Sequence, residues 1–286
     1  MNFLDVRTVM FSLIATDLVC TMVLIFLWFQ NRKHFAGVPF WVLNFALQTV
    51  GTILIVLRGS IPDWISMGVS NTLVFAGTIM VYIGLSAFVG RKSTQIHNYT
   101  LLAIFVIVQY YFIFFQPNLG ARVINLSVGF LVIGFQCVWL LLHQVEPDMR
   151  RITQNVGLIF IAMCLVSLAR IAAILVFPDT SNDLFQSSLF DTAILVSYQV
   201  LLILLTFGMT LMVNQRLLKE VEIQEEKFAK AFRSSWDMAV FASLMASSVL
   251  FLFKRSKDRC TRARIRAGLI SRAFWNWLMA SSASFR

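Results

Sequence analysis

Seven times this chain of 286 residues runs on for about 17–25 residues with scarcely a charge, the length that an α-helix needs to cross a bilayer core. The runs are Thr8–Gln30, Pro39–Leu57, Ile65–Gly90, Tyr99–Phe115, Arg122–His143, Gln154–Phe177 and Asp191–Val213. Short connections rich in turn residues separate them, such as "RGSIPD", "QPNLGA" and "VEPDMR". A soluble domain has roughly a quarter of its residues charged. Here 13% are charged and 58% hydrophobic, with a mean hydropathy of +0.77. The expectation is therefore an all-α integral membrane bundle of seven transmembrane helices. The first run is too long for a signal-peptide core and has no basic segment before it, so it is expected to be retained.

Lys and Arg in short loops set orientation. The first, third and fifth loops hold Arg32 with Lys33, Arg91 with Lys92, and Arg150 with Arg151. The N-terminal segment and the second and fourth loops hold one each, Arg7, Arg58 and Arg122, and the acidic sixth, "PDTSNDLFQSSLFD", holds none. This bias places the N-terminus outside and the C-terminus in the cytoplasm of a cell inner membrane. Trp28, Trp41, Trp64, Tyr110 and Tyr111 fall near the ends of the runs, where aromatic side chains anchor at the interface. Cys20, Cys137 and Cys164 lie inside apolar runs and Cys260 in a basic tail. None has metal-ligand spacing, so neither a metal nor a disulfide framework is expected.

Polar groups inside apolar runs are the candidate functional residues, because charge at mid-membrane is costly. Asp17 and Arg170 sit at depths of about 13 and 10 Å from the outer end at 1.5 Å per residue, so a contact between them is expected. Its plain reading is a structural clamp, or an Arg170 that reaches the outer headgroups; its sharper reading is part of a ligand or ion site. Asn44, Asn71 and Gln199, with Gln48, Gln109, Asn125 and Gln136, give most of the other runs an amide. Interhelical hydrogen bonding accounts for such residues in bundles; a polar pocket opening outward is the alternative. Gly77 and Gly84 mark a close-packing face on the third run. A retinal Schiff base needs a lysine in the last span; "DTAILVSYQVLLILLTFGMTLMV" has none, and no cofactor is expected.

After Val213 the pattern changes. "NQRLLKEVEIQEEKFAKAFRSS", Asn214–Ser235, is charged, with apolar residues at heptad spacing: Leu217, Val221 and Phe228 in one register, Leu218, Val221, Phe228 and Phe232 in the next. Such a seam suits a short juxtamembrane coiled-coil-like helix that joins two copies of the chain, a homodimer; a solvated helix without a partner is the alternative. In this position "EEKFAKAFRSS" looks like the lead-in to a PAS domain. The stretch "FWVLNFALQTVGTILIVLRGSIPDWISMGVSNTLVFAGTIMVYIGLSAFVGRK", Phe40–Lys92, resembles the multi-span N-terminal sensor region of bacterial PAS-containing histidine kinases and diguanylate cyclases. The features that carry it are the Arg-Gly-x-x-Pro-Asp-Trp loop and the late Gly-x-x-x-Phe-x-Gly-Arg run. The resemblance covers about residues 1–235. It implies membrane sensing coupled to signal transduction of the two-component kind, with an unknown small-molecule or physical stimulus.

Beyond Ser235 the resemblance ends: there is no phosphoacceptor motif, no ATP-binding box and no GGDEF run, so the chain is not expected to be an enzyme. Up to Phe253 there are 15 Lys+Arg against 13 Asp+Glu, a net of +2; from Lys254 there are 9 against 1, a net of +8. The basic, Trp-containing tail suits an anionic lipid surface rather than nucleic acid. Ala239–Phe253 is short for an eighth span, and the abrupt change of composition fits a truncated gene or a shifted reading frame. The expected organisation is a sensor domain over 1–213, a signalling helix over 214–235 and a tail over 236–286. The runner-up function is a small multi-span transporter.

Overall fold

Where side chains are apolar for some twenty residues, backbone N–H and C=O groups have nothing but one another to bond, and a helix satisfies them all locally. The computed structural model describes residues 6–31, 35–91, 95–176 and 189–256, and among these there is no strand. The helices are α1 (Val6–Asn31), α2 (Val38–Val56), α3 (Ser70–Phe88, entered through a π-helical turn at Trp64–Val69), α4 (Ile96–Phe114), α5 (Leu119–His143), α6 (Pro147–Val176) and α7 (Leu189–Ser256). Among the described residues, seven helices are long and apolar enough to cross a membrane. Their outward faces carry large apolar side chains such as Phe11, Met22, Phe26, Ile107, Phe135, Leu165 and Phe207.

Local chemistry sets several of the ends. Pro39 stands in the first turn of α2, where its missing N–H costs nothing. Asn118 caps α5 by accepting from the Ala121 backbone N–H at 3.0 Å, and Pro147 opens α6. After α3, Gly90 takes φ +77°, the left-handed position that closes a helix. There the Arg91 N–H reaches the Ser86 carbonyl at 2.9 Å.

The chain divides into two units, Met1–Leu218 and Lys219–Arg286. In the first, α5 packs extensively on α6, and α2 on α3 and α1. The α2–α3 crossing is backbone-close. A Cβ on Gly37 would lie 2.2 Å from the Gly84 carbonyl, and one on Gly84 would lie 2.5 Å from the Trp41 indole. Gly77 meets Asn44 in the same way, so the expected close-packing face on the third span is present. Trp41, Phe45, Leu85 and Phe88 belong to this crossing and are fully buried, while the ring of Phe75 of α3 lies 4.4 Å from that of Phe105 of α4. Trp41 therefore corrects the interface-anchor expectation. Its ring is 0% exposed and lies 5.5 Å from the ring of Phe88, because the glycines let the indole into the core. Trp64 and Tyr111 do face outward.

In the second unit, the described residues Lys219–Ser256 all belong to α7. The helix runs through Ala239–Phe253 without interruption. Arg32, Lys33, Lys92, residues 178–188 of the sixth loop, and the tail from Lys257 with Cys260 lie outside the described residues.

Candidate functional site

Six of the described helices wall a cavity of about 140 Å³ inside the first unit, and five of them turn polar groups toward it. It is walled by Asp17 of α1, Gln48 and Thr52 of α2, Asn71 and Thr78 of α3, Arg170 of α6 and Tyr198 of α7, among apolar side chains that include Leu126 and Phe130 of α5. A second cavity of about 100 Å³ adjoins it toward the end of the bundle where α1 and α7 begin. The two share Met10, Ile55, Asn71, Leu126, Arg170 and Leu195. The outer one adds Arg58, Ser66, Met67 and Arg122.

Asp17 and Arg170 are 1% and 6% exposed. They face the same cavity but form no ion pair: Asp17 Oδ1 and Arg170 Nε each lack a hydrogen-bond partner. The expected contact is thus replaced by a shared cavity. Counted from the described helix ends, Asp17 is about 16 Å deep and Arg170 about 9 Å, and that offset leaves cavity between them. The groups within electrostatic reach of Arg170 are Tyr198 and Asp191. Tyr198 is fixed by a 2.7 Å hydrogen bond to the Ser167 hydroxyl and by Phe130, whose ring centroid lies 5.9 Å away.

The amides divide between local and interhelical roles. Gln199 donates to Ser12 Oγ at 2.7 Å and Thr16 Oγ1 at 2.8 Å, tying α7 to α1. Gln109 donates to the Met67 carbonyl at 3.2 Å and Asn125 to the Phe105 carbonyl at 3.1 Å, which fastens α4 to the π-helical turn and to α5. Asn44 only accepts from Gln48 of its own helix at 2.9 Å, and its buried Nδ2 has no partner. Asn71 donates one turn back, to the Met67 carbonyl at 2.9 Å, while its residue borders both cavities.

Two residues matter more than their sequence positions suggest. Arg122 reads as a loop charge just before a span, yet it is 6% exposed, on the first turn of α5. Its guanidinium donates to Met67 Sδ, and Arg58 and Asp63 are within its electrostatic reach. Arg216 of α7 donates to the Phe88 carbonyl and lies over the rings of Phe35 and Phe88 at 5.0 and 4.9 Å. Only the count of charges near one end of the bundle could have pointed to Arg122; nothing in the heptad reading signals Arg216.

Of the seam residues, Leu217 packs partly against the bundle core, whereas Leu218, Val221, Phe228 and Phe232 are exposed, Phe228 by 74%. No family model matches the chain, and no curated protein or solved structure matches it.

Proposed function

We propose that this protein is a membrane-embedded sensor module. A stimulus received in the bundle displaces α7, and α7 passes the movement to a cytoplasmic output supplied by a PAS, kinase or cyclase domain or by a partner. The observation that carries the reading is that one unbroken helix, Leu189–Ser256, supplies both Leu195, Tyr198, Leu202 and Leu205 to the cavity wall and the exposed heptad side chains from Leu218 to Phe232. A helix that serves both jobs is the route by which rotation or axial shift would pass from one to the other. The N-terminus is outside and the membrane is the cell inner membrane, on the Lys/Arg bias of the loops. Arg122 strengthens that bias, since its charge is turned into the bundle. Two copies pair through the seam at Val221 and Phe228, flanked by Leu218 and Phe232.

The test is to graft residues 1–235 onto an intact cyclase output and to insert one to four residues after Leu218. Each insertion turns the output by about 100° on a helix of 3.6 residues per turn. Activity that alternates with the number of inserted residues supports the lever; activity indifferent to it sinks the reading. Val221→Glu with Phe228→Glu should abolish dimerisation of residues 1–235 in neutral detergent, and an unaltered dimer excludes this seam.

The second reading is a small transporter, favoured by the π-helical turn at Trp64–Val69 beside a cavity with buried charges of both signs. Irregular helix at a substrate site is a transporter feature. Solute uptake into liposomes by the purified chain would establish it.

A further inference from the structure

We propose that the paired cavities bind a small amphiphilic anion. Its carboxylate or phosphate is held by Arg122 and Arg170 with Arg58 alongside, and its apolar body lies in the deeper cavity. This deepens the sensor reading, on which it rests, by naming the class of stimulus.

Three observations converge. Arg170 is 94% buried, borders both cavities and has a guanidinium Nε with no hydrogen-bond partner. A buried cation is expensive unless an anion and hydrogen-bond acceptors meet it. Arg122 is equally buried and points its guanidinium at Met67 Sδ. A thioether is a weak acceptor, which an anionic oxygen would displace with gain. Arg58 brings a third guanidinium to the same wall. The acidic groups near them are Asp63 and Asp191, and Asp17 lies deeper, in the inner cavity alone. The anion therefore has one orientation: head at the arginines, body inward among Leu126, Phe130, Leu202 and Leu205.

Volume limits the body. The deeper cavity is about 140 Å³, and an apolar cavity of about 150 Å³ accommodates benzene. A phenyl ring or a chain of some six to eight carbons fits; a full lipid acyl chain does not. The occupant is thus a short free amphiphile, and an anionic phospholipid offers the same head chemistry from the bilayer.

Titration calorimetry on the full chain in phosphatidylcholine nanodiscs tests this with octanoate, against octanol and octyltrimethylammonium as chains of equal length. Saturable binding of octanoate alone is expected, weakened at least ten-fold by Arg122→Gln and by Arg170→Gln. If Arg170→Gln fails to fold, Arg122→Gln and Leu126→Phe, which narrows both cavities, carry the comparison. Octanol binding as tightly as octanoate, or Arg122→Gln binding octanoate like the unaltered chain, overturns the proposal. Adding phosphatidylglycerol separates the sources. If it blocks octanoate binding through the same arginines, lipid is the occupant and the free amphiphile is excluded. Octanoate binding that leaves the grafted cyclase unaffected keeps the site and removes the sensor reading; a responsive lever that binds no octanoate does the reverse.

Discussion

Arg216 is one side chain that fastens α7 to the rest of the bundle. Its guanidinium sits over Phe35 and Phe88 while donating to the Phe88 carbonyl, so it ties α7 to the end of α3 and to the segment before α2. A partly desolvated cation–π contact is worth about 1–2 kcal/mol, and a hydrogen bond given by a charged donor adds about 1.5–3 kcal/mol. Arg216→Ala should therefore lower stability in neutral detergent by about 2.5–5 kcal/mol, with Arg216→Lys recovering only part, since a lysine lacks the flat face. A variant as stable as the unaltered chain would show the contact to be idle. Tyr198→Phe is a milder change. It removes the 2.7 Å bond to Ser167 and should cost about 0.6 kcal/mol and no more than about 1.7 kcal/mol, the average and upper value for interhelical hydrogen bonds in a membrane bundle. The same loss in Ser167→Ala, with no further loss in the double variant, would show that the two hydroxyls act as a pair.

Among the elements, the α2–α3 crossing is the most tightly specified. Gly37 and Gly84 bring two backbones together and leave room for the Trp41 indole. Overpacking a filled core costs about 1–3 kcal/mol and occasionally more. Gly84→Val should exceed the top of that range, because its Cβ meets ring atoms of a fully buried side chain and the Gly37 carbonyl rather than a movable chain end. Loss of the folded fraction in size-exclusion chromatography would register it; normal yield and melting temperature would contradict this crossing. The π-helical turn is the other specified element. It widens the backbone at Met67, whose carbonyl receives both Gln109 and Asn71, and it carries the Met67 side chain that Arg122 meets. Such turns occur mostly as short interruptions within α-helices, frequently at functional positions, and this one borders the outer cavity.

At the scale of the molecule, the core ends before the charged segment does. The last side chain packed against it is Leu217, and from Val221 to Arg233 every described side chain is exposed. A chain ending at Leu218 should therefore melt within about 2–4 °C of the full chain, the shift that 1 kcal/mol produces in a domain of this size. A chain ending at Val213 should melt lower, because Arg216 and Leu217 are gone. Equal melting of all three would mean that α7 contributes nothing to the bundle after Val213.

The seven helices were legible from the sequence because each depends on its own residues. Twenty apolar side chains and a backbone that must bond itself decide for helix whatever lies beside it. The approximate ends followed from the same source, through Pro39, Asn118, Pro147 and Gly90. Which way each face turns was not legible. Asp17 and Arg170 could be read as costly intramembrane charges, but whether they meet depends on helix rotation and relative depth, and these are set by packing against neighbours. The same holds for Trp41, which stands where an interface anchor would and is buried by glycines on another helix, and for Arg122, a loop charge by position that faces a cavity by tertiary arrangement. Composition and periodicity are properties of one segment at a time; a cavity walled by six helices is a property of none of them.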